Sequence, residues 1–249
     1  MLQEKNIYGL IGKKISYSFS KNYFTNKFKK SNLDSNYTYE NLDLDDINQF
    51  KNILKQKKFN GFNVTIPYKE KIIPFIDELS PVAKEIGSVN TICFHNSKKI
   101  GHNTDIFGFD KTLSEINIDN IKHALVLGTG GASKAIRYVL SKRKINYSLV
   151  SRKKKEDSLL YNALDTNLFN QNLLIINSTP LGTYPTIEEF PDIPYKYLDS
   201  KHILYDLVYN PIETAFMKKG KEKGARVING LKMLEYQAEK SWELWHEFN

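Results

Sequence analysis

Three groups of residues in this chain are of types that can do chemistry. The first centres on Lys69, at the end of the stretch Asn63-Val64-Thr65-Ile66-Pro67-Tyr68-Lys69. Pro67 has no N–H and cannot continue a central ladder, so a strand is expected to end there and deliver Lys69 into a turn before a helical stretch. Asp105, in Asn103-Thr104-Asp105, is a carboxylate that can join it. A lysine moves protons where desolvation, which favours the amine, is offset by a neighbouring carboxylate, which favours the ammonium. The alternatives are ordinary ones: a surface lysine, and an aspartate that caps a helix.

The second group is Ser18 and Ser20, in the hydroxyl-rich loop Ser16-Tyr17-Ser18-Phe19-Ser20. Separated by one residue, they are expected to point the same way and offer two O–H donors to a carboxylate; alternatively Ser20 caps the helix that follows. The third group is Gly128-Thr129-Gly130-Gly131-Ala132-Ser133, between an apolar run and a helical pattern. Glycines there let a backbone approach a pyrophosphate, and free N–H groups at the helix start bind it. The third position of this dinucleotide fingerprint is Ser133 in place of Gly or Ala.

The elements that must position these groups alternate between strand and helix, which makes the chain α/β. Strands are expected over 7–11, 37–41 (an edge strand), 59–66 and 87–94, with helical spacing from Tyr23, over 44–55, from Tyr68 to Ile86, and over 107–116. Asn90 falls inside the strand 87–94. An unsatisfied buried amide there costs about 1–3 kcal/mol, so it needs a partner, for which a bound polyol is one candidate. Further strands are expected over 123–127, 147–150, 173–176, 202–208 and 226–229, with a last helix over 231–246.

In a doubly wound sheet, ligands collect beyond the carboxyl ends of the strands, which puts Asn177, Thr179 and Tyr209 within reach of a cofactor or substrate. The strand 147–150 ends where such folds choose their cofactor, and the chain has Ser151-Arg152-Lys153-Lys154 there in place of an acid. A guanidinium holds a 2′-phosphate bidentately, so NADP is favoured over NAD; the plain alternative is a solvated basic turn. Gln237 on the last helix is either exposed or directed at a cleft, and spacing does not choose.

Composition narrows the class. The 249 residues are 41% hydrophobic, enough for a substantial core in one large domain or two small ones. The net charge of +8 is spread along the chain without a compact basic stripe, so nucleic acid is not an expected partner. No run is apolar enough to span a bilayer, and no leader is expected. The single cysteine, Cys93, cannot form an internal disulfide and fits a reducing cytoplasm.

Taken together the motifs resemble the shikimate dehydrogenase family, essentially end to end. The residues that carry the resemblance are Ser18-Phe19-Ser20, the stretch from Asn63 through Lys69 to Glu70, Val89-Asn90-Thr91, Asn103-Thr104-Asp105, the glycine-rich turn, Asn177-Ser178-Thr179-Pro180-Leu181-Gly182, Tyr209-Asn210-Pro211, and the segment from Gly230 to Gln237. The resemblance implies two α/β domains flanking a cleft, the second a Rossmann-type NADP-binding domain. The expected division is 1–106 with 231–249 for substrate binding and catalysis, and 107–230 for NADP. It implies NADP-dependent interconversion of 3-dehydroshikimate and shikimate in aromatic biosynthesis, with small-molecule partners only, no metal, and a monomer or homodimer.

By matching positions, Lys69 and Asp105 would be the catalytic pair, and Ser18 and Ser20 would hold the substrate carboxylate. Thr65, Asn90 and Gln237 would bind its hydroxyls, and Tyr209 would close on it. Gly128, Thr129, Gly130, Gly131 and Ala132 would hold the pyrophosphate and Ser151, Arg152 and Lys153 the 2′-phosphate, with Asn177, Thr179 and Gly230 also at the cofactor. Several positions depart from the usual pattern. Tyr17 stands for His, Lys14 and Lys21 for prolines, His102 for Asp, Ile106 for Gly, Ser151 and Lys153 for the Asn and Thr around Arg152, and Thr183 for Met. The rival readings are a quinate or broad quinate/shikimate dehydrogenase, a non-catalytic sensor of NADP and a small acid, and, weakest, a nucleic-acid-binding module.

Overall fold

The computed structural model describes residues 5–16, 18–154 and 157–247; Tyr17, singled out above, lies outside them. The chain divides into two compact units, one of Met1–Phe107 with Gln237–Asn249 and one of Gly108–Tyr236.

The first unit is built from β1 (Asn6–Gly12), α1 (Phe19–Lys30), β2 (Tyr37–Asp43), α2 (Phe50–Gln56), β3 (Gly61–Val64), β4 (Glu78–Leu79), α3 (Pro81–Ile86), β5 (Thr91–His95) and β6 (Lys98–His102), and it contains the start of α4 (Asp105–Ser114). The sheet order is β2-β1-β3-β5-β6-β4, parallel from β2 through β3, antiparallel between β3 and β5 and between β5 and β6, and parallel again between β6 and β4. Residues of β1 alternate between two cores, Tyr8 and Leu10 to one and Ile7 and Ile11 to the other, as the period of two requires. Asn96 and Ser97, at φ 49° and 63°, form the two-residue turn between β5 and β6, the left-handed pair that suits hairpin twist.

Two expectations fail here. Beyond β3 the chain is not helical up to Ile86: it makes turns, a 3-10 turn at Ile73–Phe75 and the short β4, and only then α3. Pro67, Pro74 and Pro81 lack the N–H that a continuous helix needs, and Pro81 sits where proline is tolerated, in the first turn of α3. Asn90 is likewise not inside a strand; it precedes β5.

The second unit contains β7 (His123–Leu127), α5 (Gly131–Lys142), β8 (Asn146–Ser151), β9 (Ser158–Leu160), α6 (Thr166–Phe169), β10 (Leu173–Asn177), β11 (Ile203–Asp206), α7 (Ala215–Glu222), β12 (Arg226–Ile228) and the first part of α8 (Leu231–Glu247). All pairings are parallel, in the order β12-β11-β10-β7-β8-β9. That is the doubly wound dinucleotide-binding order, with its switch point between β7 and β10. The near-continuous apolar runs of β7 and β10 follow from burial on both faces. Gly220 lets α7 lie close on the sheet: a Cβ there would stand 2.3 Å from Leu204 Cδ2.

The last part of α8 belongs to the first unit. Trp245 is fully buried against Tyr8, Phe24 and Tyr39, and its Nε1–H donates to the Ile92 carbonyl at 3.1 Å. Gly61 leaves the room for it, since a Cβ there would lie 2.3 Å from the indole nitrogen. Cys93 is buried in the same core, and burial pushes its thiol up to about 12, so it is an inert packing residue. Among the described residues no helix is long and apolar enough to cross a membrane.

Candidate active site

The turn that carries Lys69 is fixed on both sides of it. Thr65 donates its N–H to the Ile11 carbonyl and accepts from Tyr68 N, both at 2.8 Å. Tyr68 is buried and donates its hydroxyl to the Leu44 carbonyl at 2.7 Å, and the carbonyl of Lys69 itself accepts from Val89 N at 2.8 Å. With its backbone so held, Lys69 places Nζ 2.5 Å from Asp105 Oδ2, and the two side chains are 13% and 8% exposed. Lys69 is therefore not a solvated surface lysine. Asp105 opens α4, where the helix dipole suits a negative charge, and its second oxygen accepts from Asn90 Nδ2 at 2.9 Å. Burying an ion pair costs several kcal/mol per ion, about, unless further hydrogen bonds compensate, and Asn90 supplies one.

Asn90 finds its partners within the protein. Its Nδ2 donates its second proton to Thr104 Oγ1 at 2.9 Å, with Gln237 Oε1 a longer contact at 3.2 Å, while its Oδ1 accepts from Thr104 N at 2.6 Å. Gln237, left open by its spacing, is buried in this cluster. These residues join a layer of buried polar groups: Asn63, Thr91 and Thr104, which the motifs above include without a role, and Ser241, which sequence reasoning did not mention. Ser241 stands one helical turn after Gln237 on α8, and that spacing is the signal that places it on the same face.

Ser18, not Ser20, caps α1: its hydroxyl accepts from Ser20 N at 3.2 Å. Ser20 lies within the first turn of the helix, so the pair does not alternate as on a strand. Ser20 is buried and hydrogen-bonded to Tyr39, whose phenol is pushed up by burial and donates to Asn63 Oδ1 at 2.8 Å. Side-chain hydrogen bonds thus connect Ser20 through Tyr39 and Asn63 to the polar layer that meets Asn90. In the loop before α1, Lys14 adopts φ 56° and donates its N–H to Asp43 Oδ1 at 2.7 Å. Proline, the residue usual there in the family resembled, has neither that φ nor that proton. His102 is half-buried, and burial lowers its pKa.

In the second unit, the switch point is the densest arrangement. Gly128 has φ +105°, and a Cβ on it would meet Ser178 Oγ and Thr179 Cγ2 at 3.0 Å each. Gly130 caps α5, and a Cβ there would meet nothing within 4 Å, so its backbone faces open space. Ser133, the departure from the fingerprint, is buried and donates its hydroxyl to the Gly130 carbonyl at 2.6 Å, which tightens the turn. The N–H groups of Gly131 and Ala132, at the start of the helix, have no intrahelical acceptor.

Asn177, at the end of β10, is fully buried and its side chain serves the protein. It accepts from Thr179 N and Oγ1 at 3.0 and 2.6 Å and donates to Asp206 Oδ1 at 2.9 Å. Asp206, missed from sequence, is the buried carboxylate at the end of β11. It also accepts from Val208 N at 3.0 Å and Thr214 Oγ1 at 2.6 Å, and burial pushes it up to about 6. Its signal is a lone acid closing an apolar strand. Tyr209 follows, half-buried. Gly230 is a packing glycine, since a Cβ there would stand 2.2 Å from the Leu207 carbonyl oxygen. Ser151 closes β8 with its hydroxyl on the Lys153 carbonyl at 2.6 Å, and Arg152 and Lys153 are exposed beyond it.

Comparison with known proteins agrees in sequence and in fold. A family model described as the shikimate dehydrogenase substrate binding domain matches residues 10–92. A shikimate dehydrogenase (NADP(+)) of Methanococcus maripaludis is 40% identical, over 95% of this chain and 90% of its own length. Among solved structures, shikimate dehydrogenase 1 from Peptoclostridium difficile aligns with a TM-score of 0.84 at 36% identity, covering 98% of this chain and 92% of that one. Shikimate 5-dehydrogenase from Thermus thermophilus, in complex with NADP(H) and shikimate, aligns with a TM-score of 0.85 at 27% identity, covering 97% and 94%. With a buried lysine–aspartate pair, a doubly wound parallel sheet and relatives of this identity along nearly its whole length, the chain belongs to the shikimate dehydrogenase family.

Proposed function

We propose that the chain is an NADP-dependent oxidoreductase that interconverts 3-dehydroshikimate and shikimate, with the first unit binding the substrate and the second the cofactor. The observation that carries this is the Lys69–Asp105 pair, desolvated and hydrogen-bonded to Asn90, in a chain whose relatives are named for that reaction.

Oxidation of a secondary alcohol removes a hydride from carbon and a proton from oxygen. NADP, when bound, supplies the hydride acceptor, and in the reverse direction its reduced form supplies the hydride. Lys69 Nζ takes the hydroxyl proton as the alcohol becomes a ketone and returns it in reduction. Asp105 fixes Nζ through one oxygen, and Asn90 fixes Asp105 through the other. Ser18 and Ser20 supply hydroxyls for the substrate carboxylate, and Thr65, Asn90 and Gln237 polar groups for its hydroxyls. Tyr209 closes on the substrate.

The second unit suits a dinucleotide on its own observations. Open space at Gly130 and two helical N–H groups without intrahelical acceptors fit a pyrophosphate. Thr129, Gly131 and Ala132 complete that turn, with Thr179 against Gly128. The exposed Arg152, with Ser151 and Lys153 beside it, supports a 2′-phosphate and hence NADP. Asn177 and Gly230 act on the cofactor only through the backbone they order.

Following nicotinamide absorbance with shikimate or quinate and with NADP or NAD tests this directly. The expected result is turnover of shikimate with NADP at a kcat/KM well above the other three combinations. No turnover of shikimate with either cofactor sinks the proposal, and a preference for quinate replaces the substrate.

A further inference from the structure

The polar layer under Lys69 and Asp105 has a direction. Ser241 Oγ lies 2.9 Å from the Gln237 carbonyl, one turn earlier on α8, and a carbonyl only accepts. With its proton spent there, Ser241 Oγ accepts through its two lone pairs from its nearest neighbours, Thr91 Oγ1 at 2.8 Å and Asn63 Nδ2 at 2.9 Å, with Thr104 Oγ1 a further 3.1 Å contact. The proton of Thr91 goes to Ser241, its nearest acceptor, and the Thr91 oxygen then accepts from Asn63 Nδ2 at 3.2 Å. Thr104 presents a lone pair to Asn90 Nδ2 at 2.9 Å and turns its proton to the remaining lone pair of Thr91 at 3.2 Å. The contacts of both threonine hydroxyls to Asn90 Oδ1, 3.2 Å each, go unused in this ordering, since that oxygen already accepts from Thr104 N at 2.6 Å.

The consequence falls on Asn90. A flipped amide would set its oxygen against the Asp105 carboxylate and its nitrogen against the Thr104 N–H, so only one orientation satisfies the site. Every group concerned is buried, where a misdirected donor or acceptor goes unpaired.

We infer that Ser241 is a positioning residue: by passing its proton to the α8 backbone it takes up the protons of Thr91 and Asn63 and sets the direction of the hydroxyl cluster, so that Thr104 offers a lone pair to the second N–H of the Asn90 amide that Asp105 and the Thr104 N–H orient. This rests on Lys69 and Asp105 being the proton-transfer pair proposed above.

The test compares Ser241→Ala with Ser241→Thr, which keeps the hydroxyl. In Ser241→Ala, kcat for shikimate is expected to fall about tenfold, the effect of one lost hydrogen bond in the transition state, with KM for NADP unchanged and the circular dichroism of the folded protein retained. Ser241→Thr is expected to restore kcat. The side-chain amide signals of Asn63 and Asn90 in 15N-labelled protein are expected to shift, and to exchange with solvent faster, in Ser241→Ala alone. An Asn90 signal that does not move overturns the inference whatever the rate does. So does a wild-type kcat in Ser241→Ala, or a folded Ser241→Thr as slow as the alanine variant. Should Ser241→Ala fail to fold, Ser241→Cys, close in volume but a poorer acceptor, takes its place. Wild-type protein that turns over no shikimate sinks the proposed function instead, and the amide signals then decide the inference alone.

Discussion

Lys69, partly buried, and Asp206, fully buried, are both ionisable groups withdrawn from water, yet their surroundings ask opposite things of them. Lys69 has a carboxylate at 2.5 Å, and its removal should abolish proton transfer while leaving the fold in place. Lys69→Ala is expected to lower kcat by about 10²- to 10⁴-fold, the usual span for a lost general acid–base. A near-normal rate in a folded variant would remove Lys69 from the mechanism. Asp206 accepts from three neutral donors and pairs with no cation among the described residues, and burial raises its pKa from 3.8 to about 6. A carboxyl raised on folding takes up its proton sooner in the folded state, so its charged form weakens the fold at neutral pH, and that penalty fades as pH falls from about 6 toward 4. The gap corresponds to about 3 kcal/mol. Asp206→Asn, which mimics the protonated acid, is therefore expected to be more stable than wild type at pH 7 by up to about that amount, with the difference closing near pH 4. Urea unfolding at the two pH values measures it; a variant less stable at pH 7 would show that the lost acceptor outweighs the relieved charge.

At the scale of elements, the strands were the most legible part of the sequence, and the reasons differ from one to the next. The run His123 to Leu127 reads at both ends because a parallel strand buried on both faces is apolar throughout and a glycine closes it. The stretch after Lys69 misleads because Ile72, Ile73 and Ile76 keep a helical spacing while the prolines remove the hydrogen bonds a helix needs. The short elements β9 and α6 carry too few residues for a period to register. In α7 only Phe216, Met217 and Gly220 are buried beneath a lysine-rich exterior, and a glycine in mid-helix argues against the element that it in fact lets pack. The glycine-rich turn is legible because only one backbone geometry serves it. Gly128→Ala would force a side chain into φ +105° against Ser178, at about 1–2 kcal/mol. KM for NADP is expected to rise about tenfold while KM for shikimate stays put; equal rises in both would place the damage in the fold and not at the cofactor.

For the molecule as a whole, the residues expected to do chemistry were legible because their types are rare in their contexts: a lysine closing an apolar strand, hydroxyls before a helix, glycines after a strand. The supporting layer was not, because Asn63, Thr91, Thr104 and Ser241 come from four separate stretches and only the fold brings their hydroxyl and amide groups within 3.3 Å of one another. The same fold offers a clean probe. Both tryptophans, Trp242 and Trp245, lie on α8 in the part assigned to the first unit, so tryptophan fluorescence reports on that unit. Trp245→Ala empties the space beside Gly61 and is expected to cost about 3–5 kcal/mol. In urea, the remaining Trp242 signal should then be lost before the circular dichroism of the parallel sheet; coincident loss would mean that the two units unfold as one.

The first unit is made of two pieces of chain, and the second unit lies between them in sequence. On the ribosome this reverses the ordinary order of folding, in which N-terminal domains finish first. The first sheet emerges early but lacks the helix that carries Trp245, Ser241 and Gln237, so its core stays open and its polar layer incomplete while the whole parallel sheet is made. Nascent chains stalled just short of residue 237 should therefore hold a protease-resistant second unit and a first unit still open to cleavage. Assembly of the proposed proton-transfer site thus waits until the second unit has been made, and is completed by the same helical turns that close the core.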